Sequence, residues 1–143
     1  MNVPKDLKYT KDHEWIKIDG EIATIGITDF AQGELGDIVY VEVDTIDEIL
    51  EKEEVFGTVE AVKTVSDLFM PISGKIIEFN ESLEANPEKV NEDPYNEGWM
   101  IKLKVSDRSE VADLLSPSDY ENSISWIHFG MIIGLLDLNI KFT

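Results

Sequence analysis

The chemistry open to this chain narrows to one amine. Lys63 is the only basic residue between Lys52 and Lys75. The runs Val55-Phe56-Gly57-Thr58-Val59-Glu60-Ala61 and Val65-Ser66-Asp67-Leu68-Phe69-Met70 flank it across Val62-Lys63-Thr64. Both runs are rich in β-branched and aromatic residues, which predicts strands and places Lys63 at or near a hairpin apex. An apex lysine presents its amine to solvent from a rigid support. That suits an enzyme that must find one lysine and acylate it, and a swinging arm whose root must not wander. From spacing alone the ordinary reading, one more solvated surface lysine, stands ahead, because exposed tip lysines are common.

Other chemistries are poorly supplied. The 143 residues contain no cysteine. This excludes a disulfide framework, a thiolate nucleophile, Cys-ligated zinc and an iron–sulfur cluster, so redox work needs an imported group. His13, one of two histidines, precedes Glu14-Trp15. A lone histidine beside an acid is more often structural than catalytic, and no His-rich metal set accompanies it. Asn91-Glu92-Asp93-Pro94 lacks a calcium loop's ligand spacing and turn glycine. Gly33-Glu34-Leu35-Gly36 is not followed by the Gly-Lys-Ser/Thr of a phosphate loop. No paired acid–base or nucleophile constellation stands out, so the chain is expected not to be an enzyme and to hold no metal.

The supporting elements are mostly strands. Trp15-Ile16-Lys17-Ile18 and Glu21-Ile22-Ala23-Thr24-Ile25-Gly26-Ile27 are joined by Asp19-Gly20, two-residue hairpin chemistry. Thr28 is suited to cap a helical turn over Asp29-Phe30-Ala31-Gln32. Residues 37–43, 75–79 and 99–105 carry further strand signals, and the charged stretch 46–54 suggests a loop or turn. Asn86-Pro87 predicts a cap and first turn over Glu88-Lys89-Val90. Ser106 or Asp107 begins a helix to Leu115, and Ser116-Pro117 begins another to about Ile124. The pattern predicts an all-β sandwich or barrel with minor, peripheral short helices. Gly36-Asp37-Ile38-Val39 and Gly74-Lys75-Ile76-Ile77 hint weakly at an internal duplication.

Thirty acidic side chains against 12 basic ones give a formal net charge of -18. That charge repels phosphate backbones and anionic lipid, so neither nucleic acid nor membrane is expected as a partner. Residues 18–51 hold ten acids and no lysine or arginine. They serve as a solubilising surface or steer the chain toward basic rims on its partners, an attraction that salt weakens. No signal or transit pattern opens the chain, which points to the cytoplasm, or to the mitochondrial matrix if a transit peptide has been removed.

The stretch Gly57 to Gly74 around Lys63 resembles the lipoyl-attachment region of the glycine cleavage system H proteins. His13-Glu14-Trp15 resembles the family's N-terminal strand. Ile27-Thr28-Asp29-Phe30-Ala31-Gln32-Gly33-Glu34-Leu35-Gly36-Asp37 resembles its first helical turn and the strand entry after it. Asn80-Glu81-Ser82-Leu83, Pro87 to Tyr95 and Glu97-Gly98-Trp99 resemble its second half. The likeness spans roughly residues 5–123 in the family's order.

The resemblance implies a flattened barrel-sandwich hybrid of the lipoyl/biotinyl-carrier type, with lipoate in amide linkage on Lys63. It implies a carrier that takes an aminomethyl group from a pyridoxal-phosphate glycine decarboxylase to a tetrahydrofolate-dependent aminomethyltransferase. Dihydrolipoamide dehydrogenase then reoxidises the arm. Glu60, Val62 and Thr64 fall where lipoate-attaching enzymes read the hairpin, although Val62 and Thr64 also suit plain turn and strand roles. Glu14 and Asp67 fall beside the cleft where the loaded arm docks. There an acidic wall suits an ammonium, and shelter from water would slow hydrolysis of the cargo. Either residue is otherwise one surface acid among thirty.

Alternatives stay open at this point. Another system's lipoyl or biotinyl carrier usually shows Asp-Lys-Ala or Met-Lys-Met at the tip, and Val62-Lys63-Thr64 is neither. A lipoyl relay to 2-oxoacid dehydrogenases and an unmodified binding module also remain. The organisation predicted is a carrier domain over 1–123 and an extension over 124–143. Twelve of the nineteen residues from 124 to 142 are apolar, and the charge-free run from Asn122 to Leu136 is fifteen residues. That is short of the about 20 a membrane span needs. Packing on the domain, self-association and an unselected artefact are the three readings of the extension.

Overall fold

The structure is a computed structural model describing residues 1–134, with side chains described as far as Ser125. The strands are β1 (Lys8–Tyr9), β2 (Glu14–Asp19), β3 (Ile22–Ile27), β4 (Ile38–Glu42), β5 (Ile49–Leu50), β6 (Val55–Ala61), β7 (Val65–Phe69), β8 (Gly74–Phe79) and β9 (Ile101–Val105). The helices are α1 (Asp29–Leu35), α2 (Ser82–Ala85), α3 (Lys89–Glu92) and α4 (Pro117–Gly134), with a 3-10 turn at Arg108–Asp113. Every strand pairing is antiparallel. One sheet has the order β1-β2-β3-β9-β8-β5 and the other β4-β6-β7. The mostly-β expectation with short helices holds. Among the described residues the two sheets do not close into a barrel.

The inward faces of both sheets share one core that includes Ile16, Ile25, Phe56, Val59, Ile72, Ile76 and Leu103. A second cluster, Leu7, Tyr9, Trp15, Phe30, Tyr120 and Ile124, lies beneath the start of α4. This explains a break in strand alternation. Glu14, Trp15 and Ile16 are consecutive in β2 and all buried. Ile16 belongs to the core between the sheets, while Trp15 belongs to the second cluster. Both faces of this end of β2 are covered, so the usual one-sided pattern fails there. Trp15 donates from Nε1 to the Pro94 carbonyl at 2.9 Å. Its neighbour across the sheet is Gly26, where a Cβ would lie 2.7 Å from the indole nitrogen. The glycine makes room for the ring.

Several local expectations shift. In the β2–β3 hairpin Asp19 pairs with Ile22, so the turn residues are Gly20-Glu21 rather than Asp19-Gly20. Gly20, at φ 64, takes the first central position that only glycine fills cheaply. Asn86 makes no side-chain cap, and α3 starts from Glu88 in helical conformation. The segment expected as a helix from Ser106 or Asp107 to Leu115 is only a 3-10 turn, capped by Asp107 onto the Ser109 N–H. The stretch 46–54 contains β5, which pairs with Lys75 and Gly74. The helix begun at Pro117 passes Ile124 and continues to Gly134, crossing the expected boundary at residue 123. Ile124 is buried in the second cluster, so the first residue of the apolar extension packs on the domain. The expected roles of the remaining extension concern side chains outside the described residues. No helix of the described residues is long and apolar enough to cross a membrane.

Candidate functional site

Strands β6 and β7 form the hairpin expected around Lys63. Their pairing runs from Val55 opposite Phe69 up to Glu60 opposite Val65. Val62 and Lys63 form the tip. It is held by the Ala61 N–H on the Thr64 carbonyl (2.8 Å) and the Val62 N–H on the Asp37 carbonyl (3.0 Å). The second bond ties the tip to the entry of β4, so the hairpin does not stand alone. Lys63 is exposed. Among the described residues no carboxylate lies within ion-pair distance of it. Val62 is 75% exposed and Thr64 and Glu60 are exposed, so the flanking residues expected to be read by attaching enzymes are all accessible.

Behind the tip lies a support that sequence reading missed. Gly36 ends α1 with φ 80, a conformation that favours glycine. A Cβ there would meet the Lys63 Cε at 3.6 Å, so the lysine stem runs past this bare backbone. Asn91 fixes the same connection from α3. Its side-chain oxygen accepts the Ile38 N–H at 2.9 Å, and its amide donates to the Gly36 carbonyl (2.9 Å) and to Gln32 Oε1 (3.0 Å). Asn91→Ala leaves these partly buried groups unpaired. We expect a stability loss of about 1–3 kcal/mol in urea titration, whereas unchanged unfolding would show that the network carries no weight.

A cleft of about 340 Å³ opens beside the hairpin. His13 and Glu14 from the β2 side, Phe30 and Leu35 from α1, and Ser66 and Asp67 from β7 contribute to its wall. The structure thus brings Glu14 and Asp67 to one cleft. They differ in state. Asp67 is exposed, on the strand that carries the hairpin. Glu14 is 2% exposed. Its Oε1 accepts from the Thr10 hydroxyl at 2.7 Å and its Oε2 accepts from the Phe69 N–H at 3.2 Å. Burial pushes the Glu14 carboxyl up to about 8 against the opposing pull of those two hydrogen bonds. Burial therefore favours the protonated form of the carboxyl at neutral pH. The carboxyl also joins the six-stranded sheet to β7 of the other sheet.

His13 is structural in the way its sequence context suggests. Its backbone takes φ 67, rare for a residue with a Cβ. The Thr10 carbonyl accepts its N–H, and its own carbonyl accepts the Thr28 N–H. Its Nδ1 pairs with the Tyr120 hydroxyl at 3.0 Å, and the ring lies 4.9 Å from Phe30. Burial holds the imidazole below its ordinary value. Tyr120 itself stacks on Tyr9 at 4.6 Å and pairs with the Thr28 hydroxyl at 2.7 Å. Thr28 meanwhile caps α1 by accepting the Ala31 N–H, as its position predicted. No group of three or more potential metal ligands occurs among the described residues.

The chain thus sets a β-hairpin on paired antiparallel sheets, with an exposed lysine at its tip that forms no ion pair among the described residues. The glycine cleavage H-protein family model matches residues 7–126. The glycine cleavage system H protein of Bacteroides thetaiotaomicron is 58% identical over 121 residues, covering 85% of this chain and 96% of the relative. That of Staphylococcus carnosus is 54% identical over 124 residues, covering 87% and 98%. The crystal structure of a glycine cleavage system H protein from Mycobacterium marinum superposes with a TM-score of 0.76 at 36% identity, covering 86% of this chain and 99% of that one. The chain belongs to the glycine cleavage H-protein family, the lipoyl carriers of the glycine cleavage system.

Proposed function

We propose that Lys63 is the residue that carries the lipoyl group, and that the chain presents this arm in turn to glycine decarboxylase, the aminomethyltransferase and dihydrolipoamide dehydrogenase. The observation that carries the reading is an accessible lysine, without an ion pair among the described residues, on a tip fixed by two backbone hydrogen bonds. The residues around it fit an acyl group in amide linkage. The amine is free to be acylated, and the bare Gly36 backbone leaves the stem unobstructed. When bound, lipoate supplies the disulfide and dithiol chemistry that a cysteine-free chain lacks.

The chain's own contribution is to hold and shelter. The fixed tip limits where the arm's root can be, which keeps the tethered cargo at high local concentration near each partner. The cleft flanked by Phe30 and Leu35 offers apolar wall to an arm folded back along Gly36. At its mouth Asp67 supplies negative charge for an amine. Deeper in, Glu14 offers a carboxyl that an approaching amine converts to the ionised form, since a neighbouring cation favours that state. Water excluded from this wall cannot attack the cargo. The protein acts where its partner enzymes act, which for a chain of this charge is an aqueous compartment such as the cytoplasm.

Incubation with a lipoate–protein ligase, lipoate and ATP tests the assignment. Intact mass should rise by one lipoyl group, and peptide mapping should locate it on Lys63. No gain, or a gain on another lysine, would overturn it and favour an unmodified binding module.

A further inference from the structure

The segment that delivers Glu14 to the cleft closes on one side chain. The Thr10 N–H donates to the Glu14 carbonyl at 3.0 Å, and the His13 N–H donates to the Thr10 carbonyl at 3.1 Å. The Thr10 hydroxyl oxygen accepts two further N–H groups of the same segment, those of Asp12 and Glu14, each at 3.2 Å. A hydroxyl has two lone pairs and one proton. Both lone pairs are taken, so towards the Glu14 carboxyl, 2.7 Å away, this hydroxyl can only donate. The Phe69 N–H on the other carboxyl oxygen is also a donor and nothing else. Glu14 is therefore met by two donors and no acceptor. A proton on this carboxyl has no acceptor among the described residues and is left to whatever enters the cavities that Glu14 lines.

Glu14 lines the cleft beside the hairpin and also a cavity of about 230 Å³ that includes Thr10, Met70 and Leu115 in its wall. Thr10 lines the second cavity and not the cleft, so its hydroxyl reaches Glu14 from behind the cleft wall. Among the described residues no basic side chain is paired with Glu14. On the cleft side Asp12, Glu34 and Asp67 are acids, and His13 Nδ1 is engaged by the Tyr120 hydroxyl. On the far side Lys11 lies 3.8 Å from Glu53, Lys52 lies 3.6 Å from Asp113, and the Tyr9 hydroxyl donates to the Pro4 carbonyl. Burial favours the protonated carboxyl, while the two donors pull the other way. The counter-charge that would tip this balance is one that the chain does not supply and a cargo amine does.

We propose that Thr10 is the positioning residue for Glu14: held as an obligate donor by its own loop, its hydroxyl keeps the carboxyl ready to pair with a cargo amine in the cleft, without touching that cargo. The inference rests on the reading that the loaded arm docks at Glu14. In the step served, a neutral cargo amine takes the carboxyl proton. The O–H bond breaks, an N–H bond forms on the amine, and an ammonium–carboxylate pair results. The Thr10 hydrogen bond strengthens as its acceptor becomes charged, so it favours this pair over the neutral state.

The first measurement needs no lipoate. Carboxyl-carbon NMR of the full chain, labelled with 13C-glutamate, follows the Glu14 titration. Thr10→Val keeps the side-chain shape and loses the hydroxyl, and should raise the Glu14 midpoint by about one pH unit, the size of a hydrogen bond to a charged group. Thr10→Ser restores the donor and should titrate like the parent. Thr10→Ala carries the comparison if Thr10→Val does not fold. In the second measurement, lipoylated proteins are loaded from glycine by glycine decarboxylase and separated from it, and release of the aminomethyl group to water is timed. Thr10→Val should shorten the loaded lifetime about tenfold, Thr10→Ser should not, and Thr10→Val should add no further loss to Glu14→Gln. A parental Glu14 midpoint in folded Thr10→Val or Thr10→Ala overturns the proposal. So does a Thr10→Ser variant as impaired as Thr10→Val, since the shape of the loop and not the donor would then matter. A parental lifetime in Thr10→Val, with a shortened one in Glu14→Gln, overturns the role of Thr10 alone. Parental lifetimes in both overturn docking at Glu14 as well.

Discussion

Lys63→Arg is expected to keep its fold and lose lipoyl acceptance completely. Arginine preserves the positive charge and a long stem, but its guanidinium stays protonated up to a pKa of about 12 or higher and offers no free electron pair to an acyl carbon. The tip it would occupy is held by backbone bonds at Ala61 and Val62, neither of which uses the lysine side chain. Lys63 has no ion pair among the described residues, so none is lost. An exposed substitution away from packing should shift stability by less than about 0.5 kcal/mol. The check combines intact mass after ligase treatment with urea unfolding. Lipoyl mass on the arginine variant would show that another lysine is used. An unfolded variant would show that the side chain braces the hairpin.

Glu14→Gln should remove a pH dependence from the stability of the protein. The carboxyl rests near 8 in the folded chain against 4.5 for the ordinary group. Between those values the folded state keeps a proton that the unfolded state has released. Its contribution is therefore fully present below about pH 4.5 and is lost as pH rises toward 8, at up to about 1.4 kcal/mol per pH unit. Glutamine keeps the shape and an acceptor for the Phe69 N–H without titrating. Parent and variant should be similar at pH 5, and the variant should be ahead by on the order of 3 kcal/mol at pH 8. Urea titrations of both proteins at pH 5, 6.5 and 8 measure this. Parallel pH curves would mean that the carboxyl is ionised throughout and that water or a cation reaches it.

The features legible in the sequence are those determined within a few neighbours. The hairpin around Lys63, the Thr28 cap and the strand runs of β2, β3, β8 and β9 each have a local physical cause, and each is found. Elements that depend on distant partners were not legible. β1 consists of Lys8–Tyr9, too short to carry a pattern, and exists through pairing with β2 and a bridge from Tyr9 to Leu115. β5 is hidden in a charged stretch because two residues of pairing suffice to form it. The site divides in the same way. Resemblance placed Glu14 and Asp67 at the cleft but could not tell the buried carboxyl from the exposed one, because burial is a property of the assembled sheets. Gly36 and Asn91 fall in stretches that carry the family resemblance, but nothing in those stretches ties them to Lys63 or Ile38, and Tyr120 carried no motif. Their roles come from contacts with Lys63, Ile38 and His13, far from them in the chain.

Tyr120 lies 107 residues from His13 along the chain, yet its hydroxyl holds the imidazole on the cleft wall. Near the start of the chain, the Asn2 N–H donates to the Asp29 carboxylate and the Asn2 carbonyl accepts from the Tyr95 hydroxyl, which in turn receives the Asp29 N–H. Asn2 and the first turn of α4 are thus both tied to elements that wall the cleft. Removing Asn2 or Tyr120 would therefore disturb the cleft wall without touching any residue of the Lys63 hairpin, and a truncated protein that fails as a carrier would not reveal which segment its enzymes grip.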